Sequence, residues 1–389
     1  MDKRSENKKL YAIIGGKVLT MNGTGIISQG TILVDNNLIK AVGQDVEVPP
    51  GYNIIDAAGK YVTPGFIDSH THIGLEEEIY SIEGDDVNET SDPITPYLQA
   101  LDGINFLDLA FADALRGGVT RSMSMPGSAN IIGGQAVFLK HLAPSLGEMV
   151  YHNSWGLKAA LGENPKRVYS RQRKAPHTRM ANASLLREAL FQGARLLDKK
   201  RPLPGEEYKY ASVIKVLKKE IPLLIHVHRA DDIMTALRIK DEFHIDMVIQ
   251  HGTEAFLVAD ELAKRNVAVF LGPLLVNRAK VEMKEVSFKN ADRLAKSGVK
   301  FSFITDHPVI PIEHLRVCAA LTVREGLDEE IAMQAITSVP AGILHVDHEI
   351  GSISEGKHAD LVIFDGHPFD YRSRVEKVLV DGMLWEGPE

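Results

Sequence analysis

Apolar residues along this chain fall into two regimes. In the first sixty residues short apolar runs are broken by turn residues. Segments 11–20, 30–35 and 38–42 have strand character, with Asn36-Asn37 as a hairpin turn. The far end repeats the pattern: 360–364 and 375–380 are strand-like, and Asp381-Gly382 is a turn signal. Neither end alone buries enough for a stable sheet. Residues 1–60 and 350–389 are therefore expected to pair into one small β-domain. Between them, residues 61–349 alternate strand-like and helical runs, the pattern of a parallel α/β core. Strands are expected at 62–68, 119–125, 156–161, 223–227, 247–250, 267–271 and 301–305. Helices are expected at 107–116, 184–197, 255–265, 290–296 and 328–336, with Ser184, Asn290 and Asp328 as N-caps. Seven strands are one short of a closed (β/α)₈ barrel. The eighth is expected within 131–140 or between Leu196 and Val216.

Composition narrows the function class. The chain has 389 residues, 44% hydrophobic and 25% charged, with a net charge of −8. This suits a globular protein and argues against a general nucleic-acid binder. No run approaches the roughly 18 apolar residues of a membrane span. Residues 1–9 are polar and lead into a strand rather than a signal-peptide core. One cysteine, Cys318, allows no intrachain disulfide. The expectation is a cytoplasmic protein whose partners are a small-molecule substrate and further copies of itself.

The chemistry sits where apolar strands stop. His70-Thr71-His72 closes the run 61–68. Residues i and i+2 of a strand share a face. Two imidazoles there pack a core poorly but ligate a divalent metal well. Glu163, His226, His228, His251 and Asp306 follow other strand ends. In a parallel barrel all such ends lie on one face, where barrel enzymes keep their chemistry. Two long connections follow strand ends: 74–96 is acidic, and 166–179 is basic. They are expected to be solvated and to meet each other or a second subunit.

The segment Val62-Thr63-Pro64-Gly65-Phe66-Ile67-Asp68-Ser69-His70-Thr71-His72 resembles the amidohydrolase superfamily, in its imidazolonepropionase-related branch. So do Gln250-His251-Gly252, Thr305-Asp306-His307-Pro308 and the closing stretch Gly351-Ser352-Ile353-Ser354-Glu355-Gly356-Lys357-His358-Ala359-Asp360-Leu361-Val362-Ile363. The resemblance implies a (β/α)₈ TIM barrel with a β-sandwich built from both termini. It implies one or two divalent metals, zinc foremost, with manganese, iron or nickel as alternatives. The implied ligands are His70, His72, a fifth-strand histidine, His251 and Asp306. It favours His226, nearest the apolar run, and leaves His228 to line the pocket. The group bridging two metals in this superfamily is commonly a carbamylated lysine or a glutamate. Lys158 lies early in its strand and Glu163 past its end, so Glu163 is the expected ligand, as in the N-acetylglucosamine-6-phosphate deacetylase layout.

Metals would lower the pKa of a bound water and polarise a carbonyl. Asp306 would act as general base and then general acid. The implied reaction is hydrolysis of a C–N bond in an amide, cyclic amide or N-acyl compound. His228, Arg229, Arg278, Lys280 and His307 are candidate substrate contacts, with Gln135 and Asn277 further candidates. His152 and His177 carry no motif. One alternative is a metallodipeptidase for Xaa-Pro-like or acyl-amino acid substrates. Another is a deaminase or imidazolonepropionase, which resemble each other in a glutamate about three positions after the fifth-strand histidine. Here position 229 is arginine and 231 is aspartate. A non-catalytic scaffold of the same fold is the alternative of another class, and the retained histidines and Asp306 argue against it.

Overall fold

The computed structural model describes residues 9–79, 82–197 and 203–387; the polar stretch 1–8 lies outside the described residues. The two ends of the chain do pair. One eight-stranded sheet runs Met383–Trp385, Val375–Val380, Leu361–Phe364, Tyr61–Pro64, Leu10–Leu19, Ile26–Asp35, Leu38–Gly43, with Asn53–Asp56 also on Leu10–Leu19. The seam between the ends is antiparallel, with Ile363 opposite Val62. Ile13, Val18, Ile32, Val34, Val62, Leu361, Ile363 and Leu379 form this sheet's own core. The two expected turns meet. A Cβ on Gly382 would lie 1.7 Å from the Asn36 carbonyl oxygen, so only glycine lets these hairpin tips touch.

The run 62–68 is not one strand. Tyr61–Pro64 belongs to the terminal sheet, and the chain then enters the barrel at Phe66. Gly65 marks the crossing: a Cβ there would sit 2.1 Å from Thr120 Oγ1. Apolar content alone cannot reveal the break, because both strands are buried.

The second sheet is a nearly closed, mostly parallel barrel. Its strands, in chain and spatial order, are β1 (Phe66–Thr71), β2 (Val119–Ser124), β3 (Ile132–Lys140), β4 (Val150–Ala160), β5 (Leu223–Val227), β6 (Met247–His251), β7 (Ala268–Leu271) and β8 (Phe301–Phe303). The eighth strand sought in the sequence is thus β3. It runs antiparallel to both neighbours, which corrects the expectation of an all-parallel core. Residues 196–216 instead belong largely to helices Arg179–Leu197 and Pro204–Leu217. The tips of β1 and β8 approach through Asp306 N–H to His70 O (3.2 Å) and His72 N–H to His307 O (2.8 Å). Asp68 strengthens this seam by accepting from the Thr305 hydroxyl at 2.5 Å and the Thr305 amide at 3.1 Å.

Ile67, Met123, Phe138, Leu224, Val248, Phe270 and Ile304 fill the barrel below the site. Helix Asn290–Lys296 forms where expected. Asp328 caps its helix by accepting from the Glu330 and Ile331 amides. Ser184 does not cap, because Arg179–Leu197 starts a turn and a half earlier. Asn290 uses its amide on the Thr253 and Glu285 carbonyls instead. The basic connection begins within helix Glu163–Arg171, and it meets the acidic loop through Gln172 to Thr90 O and Lys174 to Ser91 O. Arg121, fully buried on β2, ties barrel to terminal sheet through Asp360 and Asp381 and stacks on Tyr151.

Candidate metal centre

Strand ends bring the predicted histidines together over the barrel mouth. The rings of His226 and His251 lie 4.2 Å apart, His70 and His251 4.7 Å, and His226 and His228 4.8 Å. Register explains the convergence: on neighbouring parallel strands His226 stands beside Gln250 and Val227 beside His251. His251 (φ +73°) and Asp306 (φ +56°) both take left-handed backbone conformations that non-glycine residues rarely adopt. Backbone of this kind at two strand ends within one cluster is a feature that functional sites often hold.

Four of these imidazoles are anchored through Nδ1. His70 bonds Gln250 Oε1 (2.5 Å), His72 the Met125 carbonyl (2.7 Å), His251 the Gly272 carbonyl (2.8 Å) and His228 the Thr253 hydroxyl (2.8 Å). A carbonyl or amide oxygen can only accept, so in His70, His72 and His251 Nδ1 carries the proton. In a neutral ring Nε2 then presents a lone pair. Burial, reinforced by Lys158, lowers the His70 pKa to about 4. Burial, reinforced by Lys280, does the same for His228, and burial holds His226 and His251 well below the usual histidine range. All four rings are thus neutral near pH 7.

Asp306 Oδ1 lies 3.0 Å from His70 Nε2 and 3.3 Å from His72 Nε2. Burial opposes its ionisation. Once protonated, His251, His70 and His72 would outweigh burial and hold the carboxyl well below the usual range; at neutral pH the carboxylate instead faces neutral rings. A carboxylate oxygen facing imidazole lone pairs is repulsive unless a cation stands between them. Buried His70 Nε2, His226 Nδ1 and Lys158 Nζ have no hydrogen-bond partner. Two groups place ligand atoms within 4.8 Å of one another: His226, His228 and His251, and His70, His251 and Asp306. This donor set of imidazoles and a carboxylate fits one or two divalent cations.

The bridging position departs from the expectation. Glu163 opens helix Glu163–Arg171 and does not line the cavity; its amide donates instead to Glu282. Lys158 does line the cavity. It pairs in register with Leu224, two residues below His226, on the barrel-facing side. A lysine stem spans about two strand residues, roughly 6–7 Å, so it climbs to the histidine layer. Burial, partly offset by Asp306, lowers its pKa to about 7. The neutral amine is therefore well populated at neutral pH.

Other predicted contacts separate. His228 and Lys280 line the cavity, of about 630 Å³, together with Asn164 and Asn277. Arg229 forms a forked pair with Asp231 on the surface at the start of a helix. Arg278 points outward and bonds the Lys284 carbonyl. His307 is packed behind the strand end, where Nδ1 accepts from the Ile312 amide. Gln135 accepts from the Ser154 hydroxyl, away from the cavity. His152 and His177 do not line it either. The sequence reading missed Gln250 and Asn164. Gln250 stands beside His226 on an inward-facing position, and alternation could have flagged it; Asn164 lies in a helix and carries no such signal.

Residues 61–384 match the model of the amidohydrolase family. An amidohydrolase structure from Thermotoga maritima MSB8 is 40% identical, with a TM-score of 0.94 over 97% of this chain and 100% of that one. Amidohydrolase tasK of Hapsidospora irregularis is 28% identical over 91% of this chain and 39% of its own length. This chain thus spans about two fifths of that relative. The imidazolonepropionase of Streptomyces avermitilis is 24% identical over 88% of this chain and 82% of its own. A prolidase complexed with N-methylphosphonate-L-proline shares the fold at 19% identity and a TM-score of 0.64. The chain belongs to the amidohydrolase family.

Proposed function

We infer that this protein is a metal-dependent hydrolase of a C–N bond in an amide, cyclic amide or N-acyl substrate. The observation that carries the reading is the Asp306 carboxylate oxygen set 3.0 and 3.3 Å from Nε2 of His70 and His72, two rings already anchored through Nδ1. One ion would be held by His70, His72 and Asp306, and a second by His251 with His226 or His228. Lys158 would join them as its carbamate, replacing Glu163 in that role. Bound there, divalent metal, zinc foremost, supplies a water of lowered pKa and a Lewis acid for the carbonyl. Asp306 takes the proton of the attacking water on a carboxylate oxygen and returns it to the departing nitrogen. Gln250 fixes the His70 tautomer. His228 and Lys280 face the substrate. This reading keeps the division into a terminal β-unit and a barrel, expected at 1–60 with 350–389 and at 61–349, but moves Tyr61–Pro64 to the terminal unit and starts the barrel at Phe66.

The absence of a shuttle glutamate supports hydrolysis over deamination. Arg229 and Asp231 are occupied with each other on the surface. Among the described residues no helix is long and apolar enough to cross a membrane. The test is a hydrolysis screen of N-acyl amino acids, dipeptides and cyclic amides with zinc or manganese. Turnover that a chelator abolishes and added metal restores is expected; chelator-insensitive turnover would refute the metal role.

A further inference from the structure

Lys280 is a cation without a counter-ion in a cavity of neutral imidazoles. Its Nζ bonds only the side-chain carbonyl of Asn164, at 3.3 Å, among the described residues. No carboxylate of the described residues stands within ion-pair distance of it; the cavity's acids, Glu76 and Asp306, act electrostatically with His72. The ionisable groups it acts on are His226 and His228. Asn164 is itself held, its amide bonding Ser128 Oγ at 2.8 Å and lying 3.4 Å from His226 Nε2. A half-buried ammonium beside neutral donors asks for an anion.

The loop that carries Lys280 is strapped down from outside. Two residues on, Glu282 turns away from the cavity and is 2% exposed. Arg179 reaches it with Nη2 at 2.8 Å and reaches Asp232, behind the fifth strand, with Nε at 2.9 Å. The Glu163 amide also donates to Glu282, and Gly162 leaves it room: a Cβ there would stand 3.0 Å from Glu282 Oε1. One guanidinium thus fastens the loops after β4, β5 and β7, three walls of the cavity. Asn182 adds a bond to the Gly162 carbonyl at 2.8 Å.

We propose that Lys280, with Asn164, receives a carboxylate on the amine fragment of the substrate, and that Arg179 is a positioning residue which holds Lys280 there through Glu282. The substrate class is then an N-acyl amino acid or dipeptide with a free carboxylate, rather than a neutral cyclic amide. This rests on the cavity being the hydrolytic site proposed above. Arg278, the other candidate cation of this loop, faces outward and takes no part in this contact.

The experiment measures equilibrium binding and hydrolysis of N-acetyl-L-amino acids and of their carboxamides by the metal-loaded protein. A charge-assisted bond at a partly buried site corresponds to about ten- to hundredfold in affinity. Wild type is expected to favour the acids by that factor, and Lys280→Met to lose the preference, its affinity for the acids falling to that for the carboxamides. Arg179→Lys, which keeps a charge under the loop but loses the fork, is expected to raise KM for the acids severalfold with kcat little changed. Equal affinity for acids and carboxamides, or a preference that survives in Lys280→Met, overturns the proposal even if hydrolysis occurs. A Lys280-dependent preference without hydrolysis of any amide upholds the anion site and overturns the hydrolytic reading instead. If Arg179→Lys leaves KM unchanged, the strap is refuted.

Discussion

Replacing Lys158 by methionine should make the metal-free protein more stable and the enzyme inactive. Lys158 is 1% exposed, and its Nζ has no hydrogen-bond partner. Burial lowers its pKa from 10.5 to about 7. Folding must therefore strip or confine a proton that the unfolded chain holds up to pH 10.5. At 1.36 kcal/mol per tenfold, this costs about 4–5 kcal/mol at and below pH 7. The sign follows from proton counts. Between pH 7 and 10.5 the unfolded chain binds more protons, so the wild-type apoprotein gains stability as pH rises through that window. Methionine has nearly the same length and no charge to bury. Its advantage should be full below pH 7 and gone near pH 10.5. Urea denaturation of chelator-treated protein at pH 6.5 and 9.5 measures this. Metal analysis and hydrolysis of the same variant should show a lost ion and lost turnover. A Lys158→Met apoprotein less stable than wild type, or one that keeps full metal content, refutes the reasoning.

Glu163→Gln should leave metal content and kcat within about twofold of wild type, since its side chain does not line the cavity and only its backbone amide bonds Glu282; metal analysis with kinetics checks it. Asp306→Asn should lower kcat about 10²–10⁴-fold, the range of general acid–base catalysis, with a smaller change in KM. Arg121→Met should cost about 3–5 kcal/mol, because it leaves buried Asp360 without its ion-pair partner at the joint between the two sheets, while Asp381 keeps Lys140 and His358; the loss should appear in urea unfolding while metal ligation in the surviving folded protein is unchanged.

The pairing of the chain ends and the strand-end histidines was legible because both rest on local patterns: turns at Asn36 and Gly382, and polar residues where apolar runs stop. Three features were not. The crossing at Gly65 leaves no mark, since buried strands on either side look alike. Strand β3 carries polar and glycine positions such as Gly133, Gly134 and Gln135, and its antiparallel course depends on tertiary partners. Lys158 was set aside because ligands were sought only at strand ends, yet a long side chain reaches that layer from two residues below. The reverse error explains Arg229, Arg278 and His307. Each is near a strand end in sequence, but each has a local partner: Asp231, the Lys284 carbonyl and the Ile312 amide.

The most direct measurement is the divalent metal content per chain, read alongside amide hydrolysis before and after chelation. The account predicts about two ions per folded chain, zinc foremost, with turnover that falls and recovers with them and an ion lost in Lys158→Met. A folded protein that binds no divalent metal, or that hydrolyses amides equally well without it, would contradict the account.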